Sequence, residues 1–291
     1  METAHHSHWV STHLRLVFLV LLLAIDVVLL VVYQQHQPHP LIVAFLNIGQ
    51  GDAVYIEAPN GNQLLYDAGP PTGAVLSELA KVMPFYDRSI DVAVLSHPDL
   101  DHIGGFVDVF AKYKVDVLLE SGASSTNGVY GVIKQRAGEQ HVHALTLKRG
   151  MVIDMGDGVT ADILYPDVDT TNMETNSASI VMHLRYGSTS FLLSGDLPIS
   201  EEGHVVALNG SGLHAEVLKL GHHGSRTSSS ELWLRSVSPS VTVASAGKDN
   251  RYGHPHKEVV RLLEKLGIPL LVTFEEGTIV FESDGHSVVR K

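Results

Sequence analysis

The sequence predicts an α/β protein in which sheets stack between helices, preceded by one membrane-crossing segment. Three observations carry this. Of the 291 residues 44% are hydrophobic and 18% charged, which supplies a large core and excludes a disordered chain. From Leu41 onward, short β-branched runs alternate with short stretches of helical periodicity. Near the start, Leu16–Tyr33 is an 18-residue apolar run in which Asp26 is the only charged residue. The chain has no Cys, which excludes a disulfide scaffold, a thiolate metal site and a Cys nucleophile. Its 20 Lys+Arg against 32 Asp+Glu give a net charge of −12, so it is no basic nucleic-acid-wrapping protein, although a local basic strip remains open.

In chain order, residues 1–15 form a short tail and residues 16–33 a transmembrane anchor. At about 1.5 Å per residue the apolar run reaches across a hydrocarbon core. A cleaved signal peptide would have a shorter apolar core and a small-x-small site, and the following QQHQPHP offers none. Arg15 is the only Lys or Arg before the segment and Lys81 the next after it, which favours a single pass through the cell membrane with the C-terminal part outside. Asp26 would be costly in the bilayer and would be relieved by a partner on another helix. Residues 34–40 read as a polar, Pro-containing linker, and residues 41–291 as one domain.

Within that domain Leu41–Ile48, Ala53–Ala58 and Gln63–Gly69 read as strands, the latter two joined by an Asn60-Gly61 hairpin turn. Thr72–Val82 has helical periodicity, Asp91–Ser96 is a buried strand, a helix opens near Gly105, and Val115–Glu120 is a further strand. Ser179–Tyr186 and Ser190–Asp196 are successive strands, Leu197–Leu208 is helical, and Ala215–Gly221 and Ser240–Ser245 are strands. Pro255–Leu266 is an amphipathic helix with its proline at the favoured end. Ser121–Gly138 and Asp167–Asn176 read as loops.

The chemistry clusters at strand ends. Ser96-His97-Pro98-Asp99-Leu100-Asp101-His102 follows an apolar strand; His97 and Asp99, two apart on extended chain, point the same way. Asp101 and His102 lie where the chain turns into a helix and can face a second ion. Ser194-Gly195-Asp196 places one carboxylate after another apolar strand, and Gly221-His222-His223-Gly224-Ser225 places two imidazoles after a third. Asn250-Arg251-Tyr252-Gly253-His254 precedes a helix N-terminus, where anions are favoured. Alone, each is an ordinary turn or surface pair. Together they supply a full set of hard and imidazole ligands for divalent metal.

These motifs, with FLNIGQGDAVYI and LLYDAG before them, resemble the metallo-β-lactamase fold and, more narrowly, the C-terminal domain of ComEC-type competence proteins, over residues 41–291. The resemblance implies a four-layer αββα sandwich with two divalent ions, Zn²⁺ or Mn²⁺, at one sheet edge. His97, Asp99 and Asp196 would hold one ion; Asp101, His102, Asp196 and one of His222 and His223 the other. Asp67 matches a structural aspartate near the site. The chain departs from the family in carrying Asp99 where many members have His, Asn47 where ComEC-like sequences often have Asp, and Thr175–Ser179 where many members carry a further His ligand. The carboxylate-rich set shifts preference from strict zinc towards manganese or iron.

The resemblance further implies a phosphodiesterase or nuclease in which a metal-bridging hydroxide attacks the phosphorus. Asp101, His223 and His254 would carry catalysis, with the general acid drawn from His254 or from whichever of His222 and His223 is not a ligand. Ser225, Asn250, Tyr252 and His254 would bind substrate. The partner would be a phosphodiester, DNA included. The alternatives are a surface esterase acting on phosphodiesters of wall polymers, and a non-catalytic anchored binding module.

Overall fold

The computed structural model describes residues 15–30 and 39–291. The chain divides into two compact units, Met1–His39 and Pro40–Lys291. In the first, residues 15–30 form helix α1, whose apolar side chains are exposed. Residues 31–33 of the expected anchor lie outside the described residues. Among the described residues no helix is long and apolar enough to cross a membrane.

The second unit holds two sheets. Strands β1 (Leu41–Phe45), β2 (Val54–Glu57) and β3 (Gln63–Tyr66) form an antiparallel meander. Helix α2 (Ala74–Val82) leads to β4 (Ser89–Leu95), α3 (Leu100–Ile103) and α4 (Phe106–Lys112) to β5 (Lys114–Glu120), and α5 (Gly128–Glu139) to β6 (His143–Thr146). From β3 to β6 the strands run parallel. The second half repeats the plan. Strands β7 (Val152–Gly156), β8 (Val159–Tyr165), β9 (Val181–Tyr186) and β10 (Thr189–Leu193) are antiparallel. Helices α6 (Ile199–Asn209), α7 (Glu231–Val237) and α8 (Lys257–Leu266) then connect parallel strands β11 (Val217–Lys219), β12 (Val241–Ala244) and β13 (Leu270–Val272). After the short α9 (Thr273–Glu276), β14 (Ile279–Ser283) and β15 (Val288–Arg290) cross back to the first sheet, beside β1. The sheets have eight and seven strands, in the orders β15-β14-β1-β2-β3-β4-β5-β6 and β13-β12-β11-β10-β9-β8-β7.

Strand alternation builds the layers. On β1, Leu41, Val43 and Phe45 point to a core shared with Val159, Phe191, Leu193 and Val243 of the other sheet. Ala44 points the other way, into a core with Val75, Leu79 and Phe106 of the helices outside the first sheet. A third core joins Leu192 and Leu218 to Val205, Trp233 and Leu263 of the helices outside the second. The order is therefore helices, sheet, sheet, helices, as expected.

Several elements differ from the sequence reading. The first strand stops at Phe45, three residues early. Helix α5 occupies most of the expected loop Ser121–Gly138, capped by the Asn127 side chain accepting from Val129 N–H; its three glycines mask the periodicity. Strands β6–β8 and β13–β15 carried no strand expectation. Every residue of β6 is exposed, so no alternation betrays it.

Candidate metal centre

Parallel strands of both sheets end at one edge, and the side chains just beyond them meet there. Beyond β3, Asp67 takes a left-handed backbone (φ 59°) that turns its buried carboxylate back on the next strand. It accepts from Ser96 N–H at 2.8 Å, from Ser96 Oγ–H at 2.6 Å and from the Nδ1–H of His102 at 2.9 Å. Because the Ser96 hydroxyl donates to Asp67, its oxygen accepts from the Nδ1–H of His97 at 2.9 Å. On the other side the Nδ1–H of His223 donates to Asp52 Oδ1 at 3.1 Å. The second oxygen of Asp52 pairs with the ammonium of the fully buried Lys219.

Each of three buried imidazoles is thus fixed through Nδ1, and its Nε2 lone pair is directed forward, as metal-binding histidines are commonly held. The Nε2 atoms of His97, His102 and His223 and Oδ1 of Asp196 are buried without hydrogen-bond partners. They face carboxylate oxygens instead: His102 Nε2 is 3.2 Å from Asp196 Oδ1, His223 Nε2 3.3 Å from Asp101 Oδ2 and 3.6 Å from Asp196 Oδ2, and His97 Nε2 3.8 Å from Asp99 Oδ2. Imidazole nitrogens and carboxylate oxygens so placed form a donor set that fits divalent metal.

The electrostatics agree. Burial alone would lower the pKa of His102, yet Asp196, Asp67 and Asp52 raise it well above the ordinary histidine value. His223 is likewise penalised by burial and lifted, to about 9, by Asp196 and Asp52. Burial would raise Asp196, but His102 and His223 hold it far below the usual carboxylate range. His97, deeper and beside His102, is driven down to about 3, by burial first. Burial raises Asp99; Asp101, despite burial, is held low by His223 and His102.

Local backbone makes this possible. Asp99 is extended and immediately precedes the one-turn helix α3, which carries Asp101 and His102; its carboxylate makes no capping bond. Gly51 (φ +126°) passes so close to that turn that an added Cβ would lie 2.1 Å from the Asp101 carbonyl oxygen. His222 and His223 both adopt left-handed conformations (φ 50° and 57°), and each Nε2 comes within 3.6 Å of Asp196 Oδ2. His222 differs from His223 in being partly exposed, with Nδ1 3.2 Å from the Thr227 hydroxyl.

His97, Asp99, Asp101, His102, Asp196, His222 and His223 therefore share one site, with Asp67 behind it. The remaining candidates lie at its rim. The Ser225 hydroxyl is buried and bonded to Thr227. The Asn250 amide donates to the Gly247 and His254 carbonyls and accepts from His254 N–H, so it pins its own loop. His254 stacks near Tyr252 and lies 5.5 Å from the His222 ring; burial and the neighbouring imidazoles lower it to about 4. Sequence reasoning missed Asp52, Ser96 and Lys219. Asp52, His102, Asp196 and His223 gather within 4.8 Å, but the oxygens of Asp52 are engaged by His223 Nδ1 and Lys219, behind the rings. The available signal was Asp52 between the GQG turn and the apolar β2.

A sequence model of the metallo-β-lactamase superfamily matches residues 46–248. The chain is 32% identical over 260 residues to ComE operon protein 3 of Bacillus subtilis, covering 82% of this chain and 32% of that protein. It is 33% identical over 239 residues to competence protein ComA of Neisseria gonorrhoeae, again covering 82% and 32%. It thus spans about a third of the length of these relatives. Among solved structures, the metallo-β-lactamase fold protein YhfI of Bacillus subtilis superposes with a TM-score of 0.55 at 13% identity, over 84% of this chain and 100% of that one. The diiron β-hydroxylase CmlA of Streptomyces venezuelae does so at 0.51 and 14%, over 88% and 55%. Fold, ligand cluster and sequence agree: the chain belongs to the metallo-β-lactamase superfamily of metal-dependent hydrolases.

Proposed function

We infer that the chain is a dinuclear-metal-dependent phosphodiesterase that cuts nucleic acid strands, held at the membrane by the segment containing α1. The observation carrying this reading is the set of buried, partnerless nitrogens of His97, His102 and His223, aimed at Asp99, Asp101 and Asp196. His97 and Asp99 would hold one ion and Asp101, His102 and His223 the other, with Asp196, whose Oδ1 faces His102 and whose Oδ2 faces His222 and His223, a ligand the two could share. When bound, Zn²⁺ or Mn²⁺ supplies Lewis acidity towards phosphoryl oxygens and activation of water.

The protein's own groups do the rest. Asp67, Ser96 and Asp52 keep the three imidazoles in the Nδ1–H tautomer, so no ligand reorients on binding. His222, at the mouth, gives a proton to the leaving oxygen, with His254 beside it. The likeness to competence proteins supports nucleic acid as the diester in this reading. The apolar sequence run Leu16–Tyr33 and the exposed apolar side chains of α1 support a single-pass anchor, and Arg15 an external catalytic domain.

The test is hydrolysis of bis(p-nitrophenyl) phosphate by the full chain in detergent with Mn²⁺, Zn²⁺ or chelator, beside Asp196→Ala. Metal-dependent hydrolysis lost in the variant supports the reading. A folded, metal-loaded protein inert towards this diester overturns it.

A further inference from the structure

A cavity of about 500 Å³ opens beside the metal centre, lined by Gln50, Leu100, Asp101, Asn250, Arg251 and Tyr252. Its size falls among small-molecule sites, about 300–1,000 Å³. It joins the centre through Asp101, whose Oδ2 is 3.3 Å from His223 Nε2. The lining is unusual for an acidic protein. Leu100 (43% exposed) and Tyr252 (48%) present large apolar surfaces to solvent. The Tyr252 ring lies nearly parallel to His254, 19° apart with centroids 5.5 Å apart. The Arg251 guanidinium stands over the same ring, 4.8 Å from its centroid, and donates to the Tyr252 hydroxyl at 2.6 Å.

Flat groups stacked at a cavity wall, half open to water, suit a flat apolar ligand. The guanidinium suits an anion attached to it, since it offers a planar donor fork and a stacking face together. The amides contribute little, because Asn250 is spent on its own loop and Gln50 Oε1 accepts from Gly247 N–H. A quaternary ammonium fits poorly: the aromatic face it would seek carries Arg251.

We propose that this cavity seats the nucleoside adjoining the scissile phosphate, its base stacked on the outer face of the Arg251 guanidinium, which the Tyr252 ring and hydroxyl hold in place, against Leu100, with a neighbouring phosphate on the guanidinium edge. The inference rests on the phosphodiesterase reading for its orientation. The contacts read the π-face and charge rather than base edges, so binding is tolerant of sequence and selective for an unpaired strand, whose bases are free to leave the stack.

Two measurements test it on the full chain in detergent. In the first, the Mn²⁺-loaded protein hydrolyses the p-nitrophenyl ester of thymidine 5′-monophosphate and methyl p-nitrophenyl phosphate. Tyr252→Ala, which removes the support under the Arg251 guanidinium, is expected to lower kcat/KM for the nucleotidyl ester about tenfold more than for the methyl ester, mostly through KM, a size within reach of one lost base stack. Tyr252→Phe is expected to restore the preference. In the second, equilibrium dialysis with chelator compares thymidine 5′-monophosphate with deoxyribose 5-phosphate. The wild type is expected to bind the nucleotide several-fold more tightly, and Tyr252→Ala to erase the difference. Selective nucleotide binding by a protein that hydrolyses neither ester retains the pocket while removing the hydrolase reading. Equal binding of the two phosphates, or equal losses on both esters, overturns the pocket.

Discussion

Asp52 and His223 are 171 residues apart in the chain and meet at 3.1 Å, both closed to solvent. The other oxygen of Asp52 pairs with the buried Lys219 ammonium, at the end of β11 and three residues before His222. One carboxylate therefore fixes an imidazole and compensates a buried cation. Asp52→Asn leaves Lys219 unpaired, and the expected loss is about 3–5 kcal/mol in urea unfolding with chelator present. Metal affinity should fall about 10–100-fold. Adding Lys219→Met should return most of the stability but not the affinity. A double variant no more stable than the single one would contradict this account.

Gly51→Ala probes the contact between the first loop and helix α3. The new Cβ would lie 2.1 Å from a backbone oxygen, at a φ of +126° that L-residues avoid, so the loop must move. We expect a cost of about 2 kcal/mol or more and weaker metal binding, read by thermal unfolding and metal titration. Gly203→Ala, on α6 with open space around it, is the control and should be neutral or slightly stabilising.

Glu202 is buried on α6, and its carboxylate accepts from the backbone N–H groups of Ser229 and Ser230 at the start of α7. Glu202→Ala strands both donors. The expected destabilisation is about 1–3 kcal/mol, visible as a lower urea midpoint with an unchanged slope.

His183, on β9 away from the metal centre, gives a pH dependence with a definite sign. Burial first, then the Arg185 charge, lowers its pKa from 6.5 to about 4 in the folded protein. The unfolded chain binds the proton more readily, so this histidine's contribution is complete above pH 6.5. It is lost progressively as pH falls towards 4, by up to ~3 kcal/mol. Unfolding free energies measured from pH 7.5 to 4.5 should show the decline, and His183→Gln should flatten it. An identical slope in the variant would place the effect elsewhere.

The sequence exposes those parts of the molecule in which one short segment carries its own chemistry. HPDLDH, SGD and HHGS are legible because ligand-type residues follow apolar strands whose alternation is plain. Asp52 escapes notice because its role exists only once Lys219 and His223 arrive from the other sheet. Ser96 is likewise an unremarkable serine until Asp67 turns back on it. Among elements, β1 and β10 are apolar runs buried along nearly their whole length, whereas β6 is exposed throughout and α5 is diluted by Gly128, Gly131 and Gly138. What local pattern cannot encode is set by partners distant in the chain.

The segments meeting at the metal centre are drawn from both halves of the fold, from Asp52 to His223. During synthesis His97, Asp99, Asp101 and His102 leave the ribosome long before Asp196 and the His-His turn exist. Until the second sheet closes, those four residues hold only part of the ligand set. Completion of the architecture is thus itself the switch, because the metal centre exists only once both sheets are in place.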